Sequence, residues 1–522
     1  MASIRRNISL LLILTLTLWT LPCSPARSES VGSSYSIGIQ STKTVTIRPF
    51  EPLERDMLSI YNLVYESLIV LDDNYLPQGN LAESWEETGG GKTWTFYLRR
   101  DICFSDGSPL TAHDVVASAT WLLDKANDEN LKDHGFYGNI KYFITSISAK
   151  DDLTVVIRAK RKYFGLLYAL TFPIVPASQV NEDQPLGSGP YVIDQFLAGS
   201  YMRLTTNPNW WKAQPQVKQI MVSFSDAPSK VVEEYEYARV DAVFTRSIAS
   251  AQYRTGTSSL SMSYRTSQLE CLLMNNSSSE LTLEVRKAIL YALDKSRIIS
   301  SVYSGMVTPT NFPFYPGTWM YNDALDSQFT RNVEESRRLL EEAGWADSDE
   351  NGILDRMTSA GKTANLHLRF YVYEEPDNDV RVETANLIAS MLSEVGIECK
   401  IDVMTMANVQ EKISAGSFDL ALVAFAMDTT PDPGFMLMRG NTGNYCRYKS
   451  AKMTELCEEL RTQVAQDGYR QKLMEIQSLF AEDCPFICLF YRMGNVLSRY
   501  MYTTCRDVRE YELLRGIDTF HP

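Results

Sequence analysis

Histidine is scarce, with 4 in 522 residues, and the 9 cysteines never fall into a C-x-x-C pair. Together these exclude the Cys/His spacing of a zinc site. No basic run follows the amino terminus, and the formal charge is −14. A phosphate backbone needs Lys and Arg gathered on one face, so nucleic acid is excluded as a partner. The chain also lacks G-x-S-x-G and H-E-x-x-H, and none of its cysteines has a suggestive histidine partner. Its many acidic pairs, such as Asp72-Asp73 and Glu374-Glu375, read as solvated surface in an acidic protein, which leaves catalysis without support. Low-complexity linkers and internal repeats are missing too. After residue 28 no apolar stretch is long enough to span a bilayer.

What is present begins with a targeting segment. Arg5 and Arg6 precede the apolar run Ile8 to Leu21, and Ser24 and Ala26 offer small residues for cleavage, so residues 1–28 read as a signal peptide. Cys23 offers lipid attachment as the alternative, although Thr20, Leu21 and Pro22 depart from a lipobox. The expected mature protein is exported, in the periplasm or on the outer face of the cytoplasmic membrane. Hydrophobic content of 44% and charged content of 22% fit a soluble globular chain, and the length implies two or three domains. Eight cysteines remain: Cys103, Cys271, Cys399, Cys446, Cys457, Cys484, Cys488 and Cys505. That density is too low for a disulfide scaffold; Cys484 and Cys488 read as a pair or as small buried residues.

Periodicity divides the chain into alternating helices and strands. After Gly89-Gly90-Gly91, "KTWTFYL" sets Trp94, Phe96 and Leu98 against Thr95 and Tyr97, the pattern of a half-buried strand. Thr111 and Asp114 form a capping box that starts a helix through Val115, Ala119 and Leu122. A second helix is expected from Val285 to Val302 with Gly305 as its stop, and a third carries Ala385, Ile388, Leu392 and Val395 up to Gly396. "IECKIDV" alternates as a strand, and the continuous apolar run from Phe418 to Ala426 reads as a strand covered on both faces. The fold class is α/β.

The loop "AFAMDTTPDPGFML" follows that buried strand, where ligands of α/β sheets collect. Asp428 and Asp432 stand there as carboxylates able to hold an ammonium group, with Phe425 and Ala426 at the strand end beside them. The rival reading is a Pro/Asp turn with solvated carboxylates.

Five ordered blocks carry a family resemblance over nearly all of the mature chain: "VYESLIVLDD" through "TAHDVVAS", "PLGSGPYVIDQF", "TTNPNWW", "VRKAILYALDKSRIISSVYSGMVTP" and "NVEESRRLLEEAGWADSDENGI". Together they resemble the family 5 extracytoplasmic solute-binding proteins, the peptide and nickel binders that feed ABC transporters. The resemblance implies a two-lobed periplasmic-binding-protein-like fold of class II type with an extra α/β subdomain inserted in lobe I. It assigns 31–60, 187–270 and 487–522 to lobe I, 61–186 to the insertion and 271–486 to lobe II. It also implies a monomer that traps a short peptide by hinge closure and delivers it to permease subunits, with Asp428 pairing the peptide's amino terminus.

Two departures stand out. The family's D-x-x-D-P reads D-T-T-P-D-P here, which leaves Asp432 or a carbonyl as alternatives. Dipeptide-binding relatives place an Arg for the ligand carboxylate where Glu375 stands. Arg381 and Arg447 are nearby substitutes, with surface ion pairing as their default reading. Tyr65, Trp85, Trp210, Trp211 and Trp319 are cleft or core aromatics, Tyr65 being kept in the ligand set.

"DSDENGILD" puts Asp347, Asp349, Asn351 and Asp355 at positions 1, 3, 5 and 9 of an EF-type loop with Gly352 at 6. Position 12 is Thr358 rather than Glu, so a calcium loop and a polar turn both stay open. His113 and His134 lack ligand spacing, and no metal or cofactor is expected. Rival functions are a non-peptide solute (oligosaccharide, opine or metal chelate), a surface sensor, and an exported hydrolase.

Overall fold

Two long strands, Leu260–Met274 and Phe486–Ser498, run antiparallel through the centre of an eleven-stranded sheet. On one side lie Leu420–Ala426, His367–Tyr373 and Glu398–Met404. On the other lie Ala242–Thr245, Ser34–Gln40, Gln219–Ser225, Tyr201–Thr206 and Tyr191–Leu197, and the short Val307–Pro309 pairs with Phe486–Ser498 off this path. The long pair loses register between Arg265 and Leu269: residues up to Arg265 pair with 493–498, and residues from Leu269 pair with 486–491. Such a bulge bends the strands locally and increases their twist. The computed structural model describes residues 34–41, 47–51, 55–129, 136–255, 260–357, 361–375, 378–500 and 508–517. The targeting segment with Cys23, and His134, Thr358 and Cys505, lie outside them.

Between Ser34–Gln40 and Tyr191–Leu197 the chain leaves the main sheet and builds a separate four-stranded antiparallel sheet, ordered Ala82–Thr88, Thr93–Leu98, Thr154–Ala159, Ile144–Asp151. Trp94, Phe96 and Leu98 face its core and Tyr97 faces solvent, as the alternation requires. Helix Ala112–Asn127 covers it, started by the Thr111–Asp114 box, whose backbone arm measures 2.8 Å.

Three of the resembling blocks meet where this insertion joins the sheet. Gly187 and Gly189 press against helix Arg55–Val64, and a Cβ on Gly187 would stand 1.9 Å from the Val64 carbonyl, so no side chain fits there. Ser188 donates to Glu66 (3.1 Å), and the Trp211 indole reaches the same carboxylate (3.0 Å). Burial raises the Glu66 pKa, against the pull of Lys212, Trp211 and Ser188. These blocks fasten insertion to sheet.

The expected helix from Val285 to Val302 is two helices, Leu283–Ala292 and Lys295–Ser301. Asp294 breaks it by capping the second, accepting from the Arg297 N–H (3.0 Å), because a short acidic side chain competes for backbone donors better at a helix start than inside one. Val380–Ser393 is the third helix, burying Ala385, Ile388 and Leu392 against a core that includes Leu272, Phe370 and Leu422. Leu420–Ala426 is a strand with both faces covered up to Phe425. Among the described residues no helix is long and apolar enough to cross a membrane. All seven described cysteines are free; Cys488 lies opposite Cys271 in the central ladder, not against Cys484.

Candidate functional site

Strand Leu420–Ala426 delivers the acidic loop to Asn139 and Tyr163 of the insertion, and its two aspartates end in different states. Asp428 is exposed. It accepts from the Thr430 N–H (2.6 Å) and from the Asn139 amide of the insertion (2.8 Å), both neutral donors. Asp432 is saturated: Arg461 Nε (2.7 Å), the Tyr163 hydroxyl (2.7 Å) and the Gly434 N–H (2.8 Å) all donate to it. Burial, then Asp432 and Tyr469, push the Tyr163 pKa well above its ordinary value, so this hydroxyl stays a donor at all working pH. The alternative role for Asp432 as ligand carboxylate therefore meets a group already committed to a cation and two further donors.

The other expected site residues scatter. Ala426 is exposed at the strand end, opposite Gln268. Phe425 is buried, stacked on Tyr445 with ring centroids 5.8 Å apart. Tyr65 is buried with its hydroxyl on the Pro185 carbonyl (3.2 Å), inside the joint that fastens the insertion. Arg447 donates to the Ser414 carbonyl (2.9 Å) at the end of helix Met406–Ala415. Phe425, Ala426, Asp428 and Asp432 thus share one strand and loop, while Tyr65 and Arg447 lie elsewhere.

Surface ion pairing is wrong for Arg381, whose side chain is fully buried. It forks onto Glu270 (2.6 and 2.8 Å) and reaches Glu375 (2.9 Å), with its guanidinium 4.0 Å from the Tyr373 ring centroid. Arg492 from the second central strand binds Glu375 through two nitrogens (2.9 and 3.0 Å) and lies 2.7 Å from Glu270. Burial alone would raise Glu375, but Arg492 and Arg381 outweigh it and hold that carboxyl below its usual range. A second cluster sits across the bulge. Arg246 contacts Asp56 and Glu510, Arg55 reaches Glu510 (3.4 Å), and the Ser267 N–H donates to Glu510 (2.6 Å). Sequence reasoning missed Glu270 and Arg492, although a lone acid in "LECLLM" and a lone base in "LFYRMGN" signal buried partners, since charge enters an apolar strand only when paired.

Phe314, Tyr315 and Tyr491 face Asp428 across a space of about 10 Å³, room for about one water. Entry of any larger molecule requires these walls to part. Five bonds would break with them on the insertion side: Asn139 to Asp428, Tyr163 to Asp432, the Tyr469 hydroxyl to the Tyr163 hydroxyl (3.2 Å), Arg161 to Glu458 (3.1 Å), and the Phe164 N–H to the Gln463 carbonyl (2.8 Å). A larger cavity, about 450 Å³, opens between the insertion and the segment 464–466, lined by Trp85, Trp94 and Phe164. Carboxylate oxygens of Asp347, Asp349 and Asp355 lie within 4.8 Å of one another and could hold a cation. Internal donors already serve them: the Gly352 N–H reaches Asp347 (2.9 Å) and the Ser348 hydroxyl reaches Asp355 (2.8 Å).

The sequence profile described as bacterial extracellular solute-binding proteins, family 5 Middle, matches residues 77–445. The oligopeptide-binding protein AppA of Bacillus subtilis is 25% identical over 491 residues, covering 87% of this chain and 86% of its own. The solved structure of B. subtilis AppA in complex with a nonapeptide superposes with a TM-score of 0.68 at 21% identity, over 94% of this chain and 99% of that one. NikZ from Campylobacter jejuni, in complex with Ni(L-His), gives a TM-score of 0.70 at 18% identity, again over 94% and 99%. These likenesses establish the two-lobed α/β fold with its inserted subdomain. With the profile spanning more than half of its length, the chain belongs to the family 5 bacterial extracellular solute-binding proteins.

Proposed function

We propose that this protein captures short peptides outside the cytoplasmic membrane, by closure of its two lobes, and delivers them to the permease of an ABC transporter. Lobe I is assigned residues 31–60, 187–270 and 487–522, the insertion 61–186, and lobe II 271–486, with the pivot at the bulge in the long strands. Asp428 is the group that meets the peptide's amino terminus. The observation that carries this reading is the state of that carboxylate: exposed, at the end of a buried strand, and held only by an amide and a backbone N–H. An ammonium group would replace these neutral donors with a charge-assisted bond, a gain of about 1.5–3 kcal/mol. Asp432, four residues on, supports the same reading by contrast, because its cation is already in place. A micromolar dissociation constant, about −8 kcal/mol, suits capture followed by release.

Calorimetry with mixed peptide pools tests the reading. Binding is expected, with Asp428→Asn weakening peptides that have a free amino terminus about tenfold and leaving amino-acetylated ones unchanged. Heat from a nickel–amino acid chelate but from no peptide would transfer the site to the other ligand class among its relatives. Equal losses for free and acetylated peptides would remove Asp428 from its role.

A further inference from the structure

Arg55, Arg246, Arg381, Arg461, Arg492 and Arg509 each lie within ion-pair distance of a carboxylate. Arg265, at the bulge itself, is different. Its Nη1 donates to the Pro316 carbonyl (2.9 Å), and it forms no ion pair with any carboxylate among the described residues. Aromatic rings flank it instead: the guanidinium lies 5.4 Å from the Tyr315 centroid and 5.9 Å from that of Tyr75. Arg509, bridged to Arg265 along the backbone, covers Tyr75 at 4.4 Å, so two cations share one ring. The nearby acids are engaged, Glu512 beside Arg509 and Glu510 with Arg55 and Arg246.

A guanidinium carries five N–H donors, and half-burying it without an anion is costly. Ring faces offset part of that cost and the Pro316 carbonyl takes one donor, which leaves other N–H groups free to meet an anion. Position decides what could serve them. Gln268 pairs with Ala426, and the Met427 N–H donates to the Ser267 carbonyl (2.8 Å). Arg265, three residues before Gln268, and Asp428, two residues after Ala426, therefore leave the ladder at the same end. Tyr315, stacked against Arg265, also walls the space in front of Asp428. When the walls part, a cation lacking an acid and a carboxylate lacking a cation come to flank one opening.

We propose that Arg265 receives the carboxylate end of the bound peptide while Asp428 receives its ammonium end, so that the site selects short zwitterionic peptides. The assignment rests on the peptide reading above. It places the anionic contact on the pivot strand rather than at Arg381 or Arg492, both of which are matched by Glu270 and Glu375.

Isothermal calorimetry with one short peptide as free acid, as carboxamide and as amino-acetylated acid provides the test. The natural protein should bind the free acid about tenfold or more tightly than the carboxamide. Arg265→Gln should abolish that preference while leaving the penalty for amino-acetylation in place, and Arg265→Lys should keep part of it. Equal binding of acid and carboxamide by the natural protein overturns the assignment without need of a variant. So does an Arg265→Gln protein that weakens both forms equally, which is what loss of a purely structural stack would do. Failure of every peptide to bind sinks the peptide reading and this assignment together; peptide binding indifferent to the carboxylate sinks the assignment alone.

Discussion

Charges around Glu270 and charges around Asp428 lie within one sheet and are handled in opposite ways. The first group is closed: two guanidiniums, Arg381 and Arg492, meet two carboxylates, Glu270 and Glu375, with Arg381 and Glu270 fully buried and the other two mostly so. The second is open: Asp428 and Arg265 each lack a partner of opposite sign among the described residues. Matched charges inside a protein fix geometry, since removing one partner strands the other in a medium that disfavours it. Unmatched charges at a junction are available to something that arrives. The sheet thus carries matched charge pairs on both sides of the bulge, while Arg265 and Asp428 stay without a partner of opposite sign among the described residues.

Breaking the closed group should give the largest effect. Arg381→Ala leaves Glu270 buried with Arg492 as its remaining cation and removes the guanidinium from the Tyr373 ring, so a loss of about 3–5 kcal/mol is expected. Urea unfolding of the ligand-free protein measures it. Arg265→Gln in the same experiment should cost under about 1 kcal/mol, because no ion pair is lost. Comparable losses for the two variants would erase the distinction between closed and open charges.

The distinction sharpens with pH. Glu375 and Glu510 are both held below the ordinary value of 4.5: burial pushes each up, and the neighbouring arginines more than reverse it. A carboxyl whose folded pKa is depressed contributes stability that is complete above the unfolded value and disappears as pH falls through the folded one. Glu375→Gln should therefore be less stable than the natural protein by about 1–3 kcal/mol at pH 7. The gap should narrow as pH falls below the ordinary value of 4.5 and through the depressed folded one. A gap that stays constant across that window would mean Glu375 titrates alike folded and unfolded, and the cluster is not what holds it.

How much of this could be read in advance follows from which interactions are local. The Thr111 cap, the strand Thr93–Leu98 and the helix Val380–Ser393 are written in neighbouring residues, so the sequence displays them. The break at Asp294 was local too, but the apolar period on both sides masked it. Asp428 and Asp432 could not be told apart, because their difference comes from Tyr163 and Arg461, 269 and 29 residues distant. Arg381 read as surface for the same reason: its main partner, Glu270, lies 111 residues away. The pivot hid in "SYRTSQLE", where polar and apolar residues alternate too irregularly to announce a long central strand.

The smallest effect concerns the clasp between insertion and second lobe. Tyr163 donates to Asp432, and its ring stacks on Phe143 with centroids 5.4 Å apart. Tyr163→Phe removes only the hydroxyl, with its bonds to Asp432 and to Tyr469; Asp432 keeps Arg461 and the Gly434 N–H, and Tyr469 keeps the Pro431 carbonyl, so no group is stranded and about 1 kcal/mol is at stake. That energy belongs to the closed arrangement alone, and it should shift the balance between open and closed forms roughly fivefold toward open. Small-angle scattering of the ligand-free variant should show a larger radius of gyration, and peptide affinity should fall by the same factor whatever the peptide's ends. An affinity loss that depends on the amino terminus would instead tie Tyr163 to the ligand through Asp428. Unchanged scattering with unchanged affinity would show that the clasp persists in the open form, and that closure is governed at the bulge between Arg265 and Leu269.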